Sequence, residues 1–385
     1  MDRKRRLTFA FIIVAHFLAI ASVRRGMRDR VSRACDAPRV KVYTCEREML
    51  DDAAETLGRH LGAHVCTSCS SYDAFIPMQP YSCKKGSPLS MSVPECGARH
   101  SPPVLATVPA LTRALSTKSV LCATQGQRCH ILPTNASLSG LWMVKRDGTS
   151  SGKGIEVVHG EDLVGSEGMA VQLFQNPMMH TTPSGVTVKL DLRMFSCLVP
   201  SDNADGFTVW VSRDIVYRST RADRNFNATS MSPEDHMTNS RVTMGIKGGY
   251  LYPPLPFTTW GRIDDLSELL PMRARIMQSF CERMTRFVRH AGGGVLRGRR
   301  AFIPMYTDVL LNVWGEVELS DVHAGVAHKP GRDRTLYPQH RQATDFDPEL
   351  RRTIHRAAWG AILVPLPMLL GLPSASRGWG YSRCV

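Results

Sequence analysis

The stretch that decides the fold is Trp142-Met-Val-Lys145-Arg-Asp-Gly148-Thr-Ser-Ser-Gly152-Lys-Gly154-Ile155. Its apolar residues followed by a lysine predict a short buried strand that ends at Lys145. The loop behind it is rich in glycine and serine, so backbone N–H groups can approach phosphate oxygens, whose charge a lysine neutralises. Because Ile155 opens a second apolar run, the pattern predicts a strand–loop–strand unit that covers phosphates. A plain surface hairpin is the alternative.

Two well-known phosphate loops do not fit this stretch. In a Walker A loop the lysine is followed by serine or threonine and then by a helix, whereas Gly154 follows Lys153 here and the next element is a strand. Protein kinases also cover phosphates with a strand, a glycine loop and a strand, but no catalytic-loop HRD and no DFG follows downstream. The sequence therefore excludes both classes.

A second pattern, Lys189-Leu-Asp191-Leu-Arg193, alternates charged and apolar residues. Successive side chains of a strand point to opposite faces, so Lys189, Asp191 and Arg193 share one face. Two cations flanking a carboxylate suit a pocket for a polyanion. A solvated strand face is the alternative when this pattern is taken alone.

A third pattern is a late hairpin around Trp314-Gly315. If these two residues form the turn, symmetric pairing sets Asp308 directly opposite Asp321, and His323 points to the same face. Two facing carboxylates repel unless a cation lies between them, and Mg²⁺, which binds carboxylates and nucleotide phosphates, is the natural candidate. The alternative is a pair of acids in water near a turn.

Seven blocks of the chain, in the same order, resemble those of the tubulin tyrosine ligase-like family. The resemblance covers about residues 104 to 325 and is far more specific than any single block. The blocks are Trp142-Met-Val-Lys145, Gly152-Lys-Gly154-Ile155, Gln172-Leu-Phe174-Gln-Asn176-Pro177, Lys189-Leu-Asp191-Leu-Arg193, Tyr217-Arg218, His236-Met-Thr238-Asn239 and Asp308 with Asp321-Val-His323.

The resemblance implies an α+β class and an ATP-grasp fold, in which antiparallel sheets sandwich the nucleotide behind a small N-terminal lobe. It also implies a role for each matching residue. The implied catalytic residues are Arg193, Arg218 and Lys189. The implied magnesium ligands are Asp308, Asp321 and His323. The implied nucleotide contacts are Lys145, Gly152, Lys153, Gly154, Gln172, Phe174, Gln175, Lys189, Asp191, Thr238 and Asn239.

The implied reaction uses ATP and Mg²⁺ to phosphorylate a carboxylate, after which an amino group attacks the acyl phosphate. The implied substrates are a free amino acid (glutamate, glycine or tyrosine) and an acidic protein tail, with the C-terminal tail of tubulin as the leading candidate. Magnesium and the arginines would offset the charge that develops on the transferring phosphoryl group.

Three residues depart from the family pattern. Asp321 stands where the family has glutamate and is one methylene shorter, His323 replaces asparagine with a nitrogen ligand that suits Mg²⁺ poorly, and Leu173 replaces a lysine near adenine. These departures leave a second hypothesis open, in which the protein is a catalytically impaired relative that binds nucleotide or microtubules without ligating.

The composition favours an acidic partner. Among 385 residues the formal net charge is +14, and a basic surface raises the rate of encounter with an acidic polypeptide, an anionic membrane or nucleic acid. Only 7% of the residues are aromatic and no basic run interleaves with them, so stacking platforms for nucleic acid are not expected. An acidic protein substrate is therefore the expected partner.

The N-terminus predicts a signal peptide or a signal anchor over residues 1–25. Arg3-Lys4-Arg5-Arg6 precede the apolar run 7–23, which is slightly shorter than the about 20 residues of a spanning helix. Membrane association through 7–23 is expected, but basic residues on both sides leave the orientation open. The core would lie in the cytoplasm behind an anchor, or in the secretory pathway behind a signal peptide. If residues 7–23 instead form a buried helix, the protein would lie in the cytoplasm or on microtubules.

Composition shifts divide the rest of the chain. The Ser- and Pro-rich stretch 87–103 separates a Cys-rich N-terminal lobe (26–103) from the ligase core (104–330), and a closing helix and tail (331–385) follow. The apolar stretch 361–372 contains Pro365 and Pro367, which argue against a second membrane span. The predicted helices are 111–122, 271–290 and 348–364, and the predicted strands include 141–144, 154–158, 169–174, 187–198, 208–211, 215–217, 307–313 and 316–323.

The cysteines allow more than one interpretation. Eight of the eleven fall between Cys35 and Cys129, a density that indicates disulfides in a secreted chain. Cys66-x-x-Cys69 with Cys83 and Cys96 could form a zinc site instead, although the second pair lacks the tight spacing. A third hypothesis follows, in which a secreted, disulfide-stapled ligase acts on another acceptor.

Overall fold

The computed structural model describes residues 40–43, 50–66, 72–76, 104–134, 138–145, 155–163, 166–174, 176–236, 238, 258–325, 348–372 and 378–384. The predicted signal segment, the Ser- and Pro-rich stretch and the glycine-rich loop 146–154 lie outside these residues. Three sheets make up the described part.

The N-terminal lobe is built on a parallel sheet of four short strands in the order β2-β1-β3-β4. Its apolar residues, among them Val42, Ala74 and Ile76, are almost fully buried. The fourth strand begins one residue after the predicted lobe boundary at 103. The elements are β1 (Lys41–Tyr43), α1 (Leu50–Leu61), β2 (His64–Cys66), β3 (Ala74–Phe75) and β4 (Val104–Leu105).

A small antiparallel sheet follows in the order β5-β8-β6-β7, and two short helices precede it. The single helix predicted over 111–122 is wrong, because Thr117 is extended and its side-chain Oγ1 donates to the carbonyl of Arg113 (2.8 Å). The elements are α2 (Pro109–Leu115), α3 (Lys118–Cys122), β5 (Cys129–Leu132), β6 (Leu141–Lys145), β7 (Ile155–His159) and β8 (Gly168–Gln172).

A large antiparallel sheet forms the rest of the core. Its strands are β9 (Met179–Thr181), β10 (Thr187–Pro200), β11 (Phe207–Ser212), β12 (Val216–Arg221), β13 (Thr258–Arg262), β14 (Ile303–Leu311), β15 (Val317–Ala324) and β16 (Tyr381–Arg383). Its helices are α4 (Pro233–His236), α5 (Arg273–His290), α6 (Pro348–Leu363) and α7 (Pro365–Leu370).

The long strand β10 is the centre of this sheet and pairs with β9, β11, β12 and β14. One face carries Leu190, Leu192 and Met194, which are fully buried in the core that also contains Phe280 and Met284 of α5. The opposite face first carries the charged residues of the predicted site and then Phe195, Cys197 and Val199, which join cores built with α6. The alternation predicted for this strand is therefore confirmed.

The turn of the β14–β15 hairpin differs from the predicted two-residue turn. Ladder pairing ends at Leu311 and Val317, so the loop comprises residues 312–316. Asn312 shapes this loop because its Oδ1 accepts hydrogen bonds from the backbone N–H groups of Trp314 (3.0 Å) and Glu316 (2.9 Å). Gly315 takes a φ of 77°, which favours glycine.

A β-bulge restores the register that the longer loop would have lost. Val309 pairs with Leu319, but Asp308 pairs with Asp321, so Ser320 is the extra residue on β15. The burial pattern records the same shift, since the core-facing residues are Val317 and Leu319 before the bulge and Val322 and Ala324 after it. The predicted pairing of Asp308 with Asp321 is confirmed, although its predicted cause is wrong.

The C-terminal helices lie within the protein. One stretch of the described residues, Arg352–Leu370, is long and apolar enough to cross a membrane by length and composition, yet 72% of its apolar window is buried inside the fold. Such burial is typical of a core helix. Among the described residues, two disulfides join Cys122 to Cys129 and Cys281 to Cys384, and Cys197 is a buried free thiol. The predicted zinc site includes Cys69, Cys83 and Cys96, which lie outside the described residues.

Candidate active site

Three cross-strand rows place the candidate residues on one face of the large sheet, opposite the end of β6. Direct neighbours in a sheet share a face, so each row is set by the register of backbone pairing. The first row is Trp260, Arg218, Asp191, Leu310 and Glu318; the second is Val216, Arg193, Asp308 and Asp321; the third is Phe195, Tyr306 and His323.

Asp308 lies at the centre and is held by two arginines. Arg193 donates through Nε to Oδ1 (2.8 Å) and through Nη2 to Oδ2 (3.1 Å), and Nη2 of Arg218 lies 3.0 Å from Oδ2. All three side chains are at most 14% exposed. Burial alone would raise the pKa of Asp308, but the attraction and hydrogen bonds of the arginines outweigh it and hold that pKa well below its usual range.

Two aromatic rings flank these arginines. The Arg193 guanidinium lies 5.2 Å from the ring centre of Trp260 and 4.6 Å from that of Tyr306, and the Arg218 guanidinium lies 5.6 Å from Trp260. These distances allow cation–π attraction. Neither ring was predicted from the sequence. The alternation of β14 could have placed Tyr306 beside Asp308, whereas nothing local to Trp260 indicated its partners.

Asp321 and His323 form a second pair on β15. The Nε2 atom of His323 lies 3.3 Å from Oδ2 of Asp321, and the imidazole stacks on Tyr306 at 4.4 Å between ring centres. Burial would raise the pKa of Asp321, but His323 and Lys145 together lower it. The histidine is therefore oriented toward the carboxylate and held by an aromatic neighbour.

Lys145 reaches this group from the small sheet. Its Nζ atom donates to the carbonyl (3.0 Å) and the hydroxyl (2.7 Å) of Ser320, the bulge residue. Burial lowers the pKa of Lys145 to about 8, although the charges of Asp321, Asp191 and Asp308 act to raise it. The lysine predicted to contact phosphate thus lies beside the predicted metal ligands.

Lys189 and Asp191 form a buried pair in which Nζ lies 3.0 and 3.2 Å from the two carboxylate oxygens. Thr238 donates its hydroxyl to Asp191 (3.0 Å). A cavity of about 20 Å³ is lined by these two charged residues together with Phe174 and Leu310.

The remaining predicted nucleotide contacts are only partly described. Gln172 ends β8 opposite Trp142, and Phe174 lines the small cavity. Gly152, Lys153, Gly154, Gln175 and Asn239 lie outside the described residues. The structure therefore brings together Lys145, Phe174, Lys189, Asp191, Arg193, Arg218, Thr238, Asp308, Asp321 and His323.

The donor set fits a magnesium ion in part. Asp308 and Asp321 face each other across the hairpin, and carboxylates that share the ion with nucleotide phosphates are what Mg²⁺ prefers. His323 supplies a nitrogen, which suits this ion poorly. Within the described ranges no three His, Cys, Asp or Glu side chains gather as a ready metal site.

Comparisons with known proteins support the fold. No protein-family model matches the chain, and a search of curated protein sequences finds no match. Among solved structures, the chain is similar to the C-terminal domain of Pby1 from K. lactis, an ATP-grasp enzyme that interacts with the mRNA decapping enzyme Dcp2. The similarity has a TM-score of 0.51 at 12% identity and covers 90% of this chain and 99% of that chain. The predicted fold class is thereby confirmed: this protein has the ATP-grasp fold.

Proposed function

We propose that this protein is an ATP-dependent ligase that joins the amino group of one substrate to a carboxylate of another. The observation that carries the proposal is the convergence, between two sheets of an ATP-grasp fold, of buried cations upon two facing carboxylates. Lys145 comes from the small sheet, and Arg193 and Arg218 come from the large sheet. Such a site suits a polyphosphate and an anionic acceptor together.

The reaction would proceed in two steps. In the first, a carboxylate oxygen of the acceptor attacks the γ-phosphorus of ATP, the bond to the β-phosphate oxygen breaks, and ADP leaves with the electron pair. In the second, the amine attacks the carbonyl carbon of the acyl phosphate, inorganic phosphate departs, and the nitrogen loses a proton as the amide forms. No net oxidation occurs in either step.

The charged residues of the site would have different roles in this reaction. Lys145 and Lys189 would bind the phosphates, while Arg193 and Arg218 would hold the acceptor carboxylate and the transferring phosphoryl group. Magnesium, when bound by Asp308 and Asp321, supplies positive charge to the phosphoryl oxygens. The stacking of Arg193 between Trp260 and Tyr306 keeps its guanidinium in place.

The substrate proposed is an acidic protein tail, and the tail of tubulin is the leading candidate. A chain with a net charge of +14 attracts a glutamate-rich segment, and two arginines against one aspartate leave the cleft itself with spare positive charge. The added amino acid would be glutamate, glycine or tyrosine. Membrane association through residues 7–23 is part of the same proposal.

A second candidate is a protein that binds nucleotide or microtubules without ligating. The observation that favours it is the state of the predicted metal ligands. Asp308 is engaged by both arginines, and His323, in place of asparagine, is directed at Asp321 and stacked on Tyr306. A weak metal site would leave nucleotide binding intact but slow phosphoryl transfer.

One experiment separates the two candidates. We expect ATP-dependent incorporation of radiolabelled glutamate, glycine or tyrosine into tubulin, with binding of a fluorescent ATP analogue measured on the same preparation. Binding without incorporation of any of the three would support the second candidate, and absence of both would overturn the proposed function. Asp308→Asn serves as the inactive control.

The double variant Asp321→Glu, His323→Asn sharpens that result. It restores the oxygen ligands of the family pattern, so turnover should rise at least tenfold if the natural pair impairs metal binding. Unchanged or lower turnover would mean that Asp321 and His323 already form a competent site. Mn²⁺ titration of both proteins, followed by electron paramagnetic resonance, reports the metal site independently of turnover.

A further inference from the structure

The loop between α3 and β5 is closed on itself by the disulfide from Cys122 to Cys129 and is not part of any family block. It belongs to the small sheet, since β5 pairs with β8. Two of its residues, Gln125 and Arg128, extend away from that sheet toward the large one. We refer to residues 122–129 as the clasp loop.

Gln125 fastens the clasp loop to β15. Its side chain is 8% exposed, and its Nε2 atom donates to the backbone carbonyl of Leu319 at 2.5 Å. Leu319 directly precedes the bulge residue Ser320, which accepts the hydrogen bonds of Lys145. The small sheet thus contacts β15 at two adjacent residues, once from the clasp loop and once from β6.

Arg128 makes two further contacts, one with the segment after β8 and one with the large sheet. Its guanidinium lies over the ring of Phe174, 5.0 Å from the ring centre, and its Nε atom lies 3.8 Å from Oε1 of Glu318. Glu318 is 2% exposed and is also 2.7 Å from Nη1 of Arg283 on α5. The carboxylate therefore links the clasp loop to α5 through the large sheet.

The disulfide itself packs in a small apolar cluster. Cys122 and Cys129 are buried together with Met169, Val171 and Leu310, and Phe174 packs against this cluster. Phe174 and Leu310 also line the cavity that contains Lys189 and Asp191. A shift of the clasp loop would consequently move one wall of that cavity.

We propose that the clasp loop sets the position of Phe174 and thereby the affinity of the cleft for the base of a purine nucleotide, with Arg128 as the positioning residue. This inference rests on the proposed function, which supplies the nucleotide. The resemblance implies that Phe174 lies beside adenine, so the clasp loop would act on the base, whereas Lys145 and the arginines, which do not line the cavity of Phe174, would hold the phosphates. Removing a contact of the clasp loop should therefore weaken the binding of ATP and leave the binding of inorganic tripolyphosphate unaffected.

The test compares Arg128→Ala and Arg128→Lys with the natural protein, using ATP and inorganic tripolyphosphate as ligands. A cation–π contact of this kind contributes enough for a roughly fivefold change in affinity. We expect Arg128→Ala to raise the Kd for ATP by about that factor and to leave the Kd for tripolyphosphate unchanged. Arg128→Lys should recover part of the loss.

The disulfide is tested with a matched control within the chain. Cys122→Ser with Cys129→Ser should weaken ATP binding in the same selective way, whereas Cys281→Ser with Cys384→Ser removes the other disulfide and should not. Thermal unfolding of both double variants shows whether either has lost its fold. If the first does not fold, the Arg128 variants still decide the matter.

The outcomes distinguish this inference from the proposed function. The proposed role of the clasp loop would be overturned if Arg128→Ala and the natural protein bind ATP with equal affinity. It would also be overturned if the variant binds ATP and tripolyphosphate more weakly by the same factor. The ligase proposal would stand in both cases. If the natural protein binds neither ligand, both proposals fall together.

Discussion

Asp308 and Glu318 lie on the same face of one hairpin, and each has two arginines beside it, yet their pKa values shift in opposite directions. Asp308 meets Arg193 and Arg218, and its pKa lies well below the usual range. Glu318 meets Arg283 and Arg128, and burial raises its pKa above the ordinary value.

The difference comes from hydrogen-bond geometry rather than from the number of charges. Arg193 binds both oxygens of Asp308 in a two-pronged arrangement. Neither oxygen of Glu318 has a well-aligned hydrogen bond within the described residues, one of its arginines stands 3.8 Å away, and the like charge of Glu316 adds repulsion. Burial opposes ionisation in both places, and only aligned donors overcome it.

The largest effect is expected from Asp308→Asn. The change leaves two buried guanidiniums without a compensating charge, so the free energy of unfolding should fall by about 3 kcal/mol, and turnover should fall at least ~10²-fold. The pKa of Asp308 is depressed in the folded state, so this contribution is present above its unfolded value and is lost as pH falls. Denaturant unfolding at several pH values measures it.

Asp205→Asn is the matched control for that variant. Asp205 also accepts two hydrogen bonds from one arginine, Arg289 (2.7 and 2.9 Å), but the pair lies on the surface. We expect no measurable change in stability or turnover. A loss equal to that of Asp308→Asn would show that paired geometry, and not burial in the cleft, sets the effect.

An intermediate effect is expected at Lys145, which extends the comparison to a cation. Lys145 is buried and donates to neutral oxygens of Ser320, so its pKa is lowered to about 8. Its charge is lost as pH rises through that value, and ATP affinity should fall severalfold between about pH 7 and 9. Lys145→Arg, which keeps its charge, should remove this dependence in a binding titration.

The stability of the empty protein should show the opposite trend. The unfolded lysine keeps its proton to a higher pH than the folded one, so the unfolded state binds more protons above pH 8. The contribution of Lys145 to the free energy of unfolding therefore rises with pH in that window. A contribution that falls with pH instead would mean that folding raises the pKa of Lys145 rather than lowering it.

The smallest effect is expected from Glu318→Gln. The folded pKa of Glu318 is raised, so its contribution to stability is present below the unfolded value and is lost as pH rises toward the folded one. The variant has no such pH-dependent loss. Its free energy of unfolding should therefore lie within about 1 kcal/mol of that of the natural protein at neutral pH. A loss of stability as large as that of Asp308→Asn would show that the two carboxylates, Asp308 and Glu318, do not differ in this way.

Local periodicity predicted the parts of the site that depend on one strand. The common face of Lys189, Asp191 and Arg193 follows from alternation alone, whereas the predicted pairing of Asp308 with Asp321 holds only because the bulge at Ser320 offsets the longer loop. The predicted turn was wrong because Asn312 builds a longer loop, and the predicted helix 111–122 was wrong because the Thr117 side chain competes for a backbone carbonyl.

These local patterns could not predict contacts between distant segments of the chain. Trp260 reaches the arginines only through its pairing with Arg218, and Arg128 meets Glu318 only once the two sheets come together. Ser320 has no distinguishing feature in the sequence, since its role comes from being the unpaired residue of the bulge. The contacts of such side chains depend on the register in which the strands pair. That register cannot be determined from one sequence.

The bulge at Ser320 lets β15 lose one residue without changing the faces of its side chains. Ser320 has no partner of its own in the ladder, so its deletion would leave Leu319 opposite Val309 and Asp321 opposite Asp308, with Val322 still in the core. A deletion or insertion of one residue between Asp321 and Ala324 would instead turn the residues beyond it to the other face, because each step along a strand reverses the face. Changes of one residue in this strand should therefore be tolerated across evolution at position 320 and not beyond Asp321.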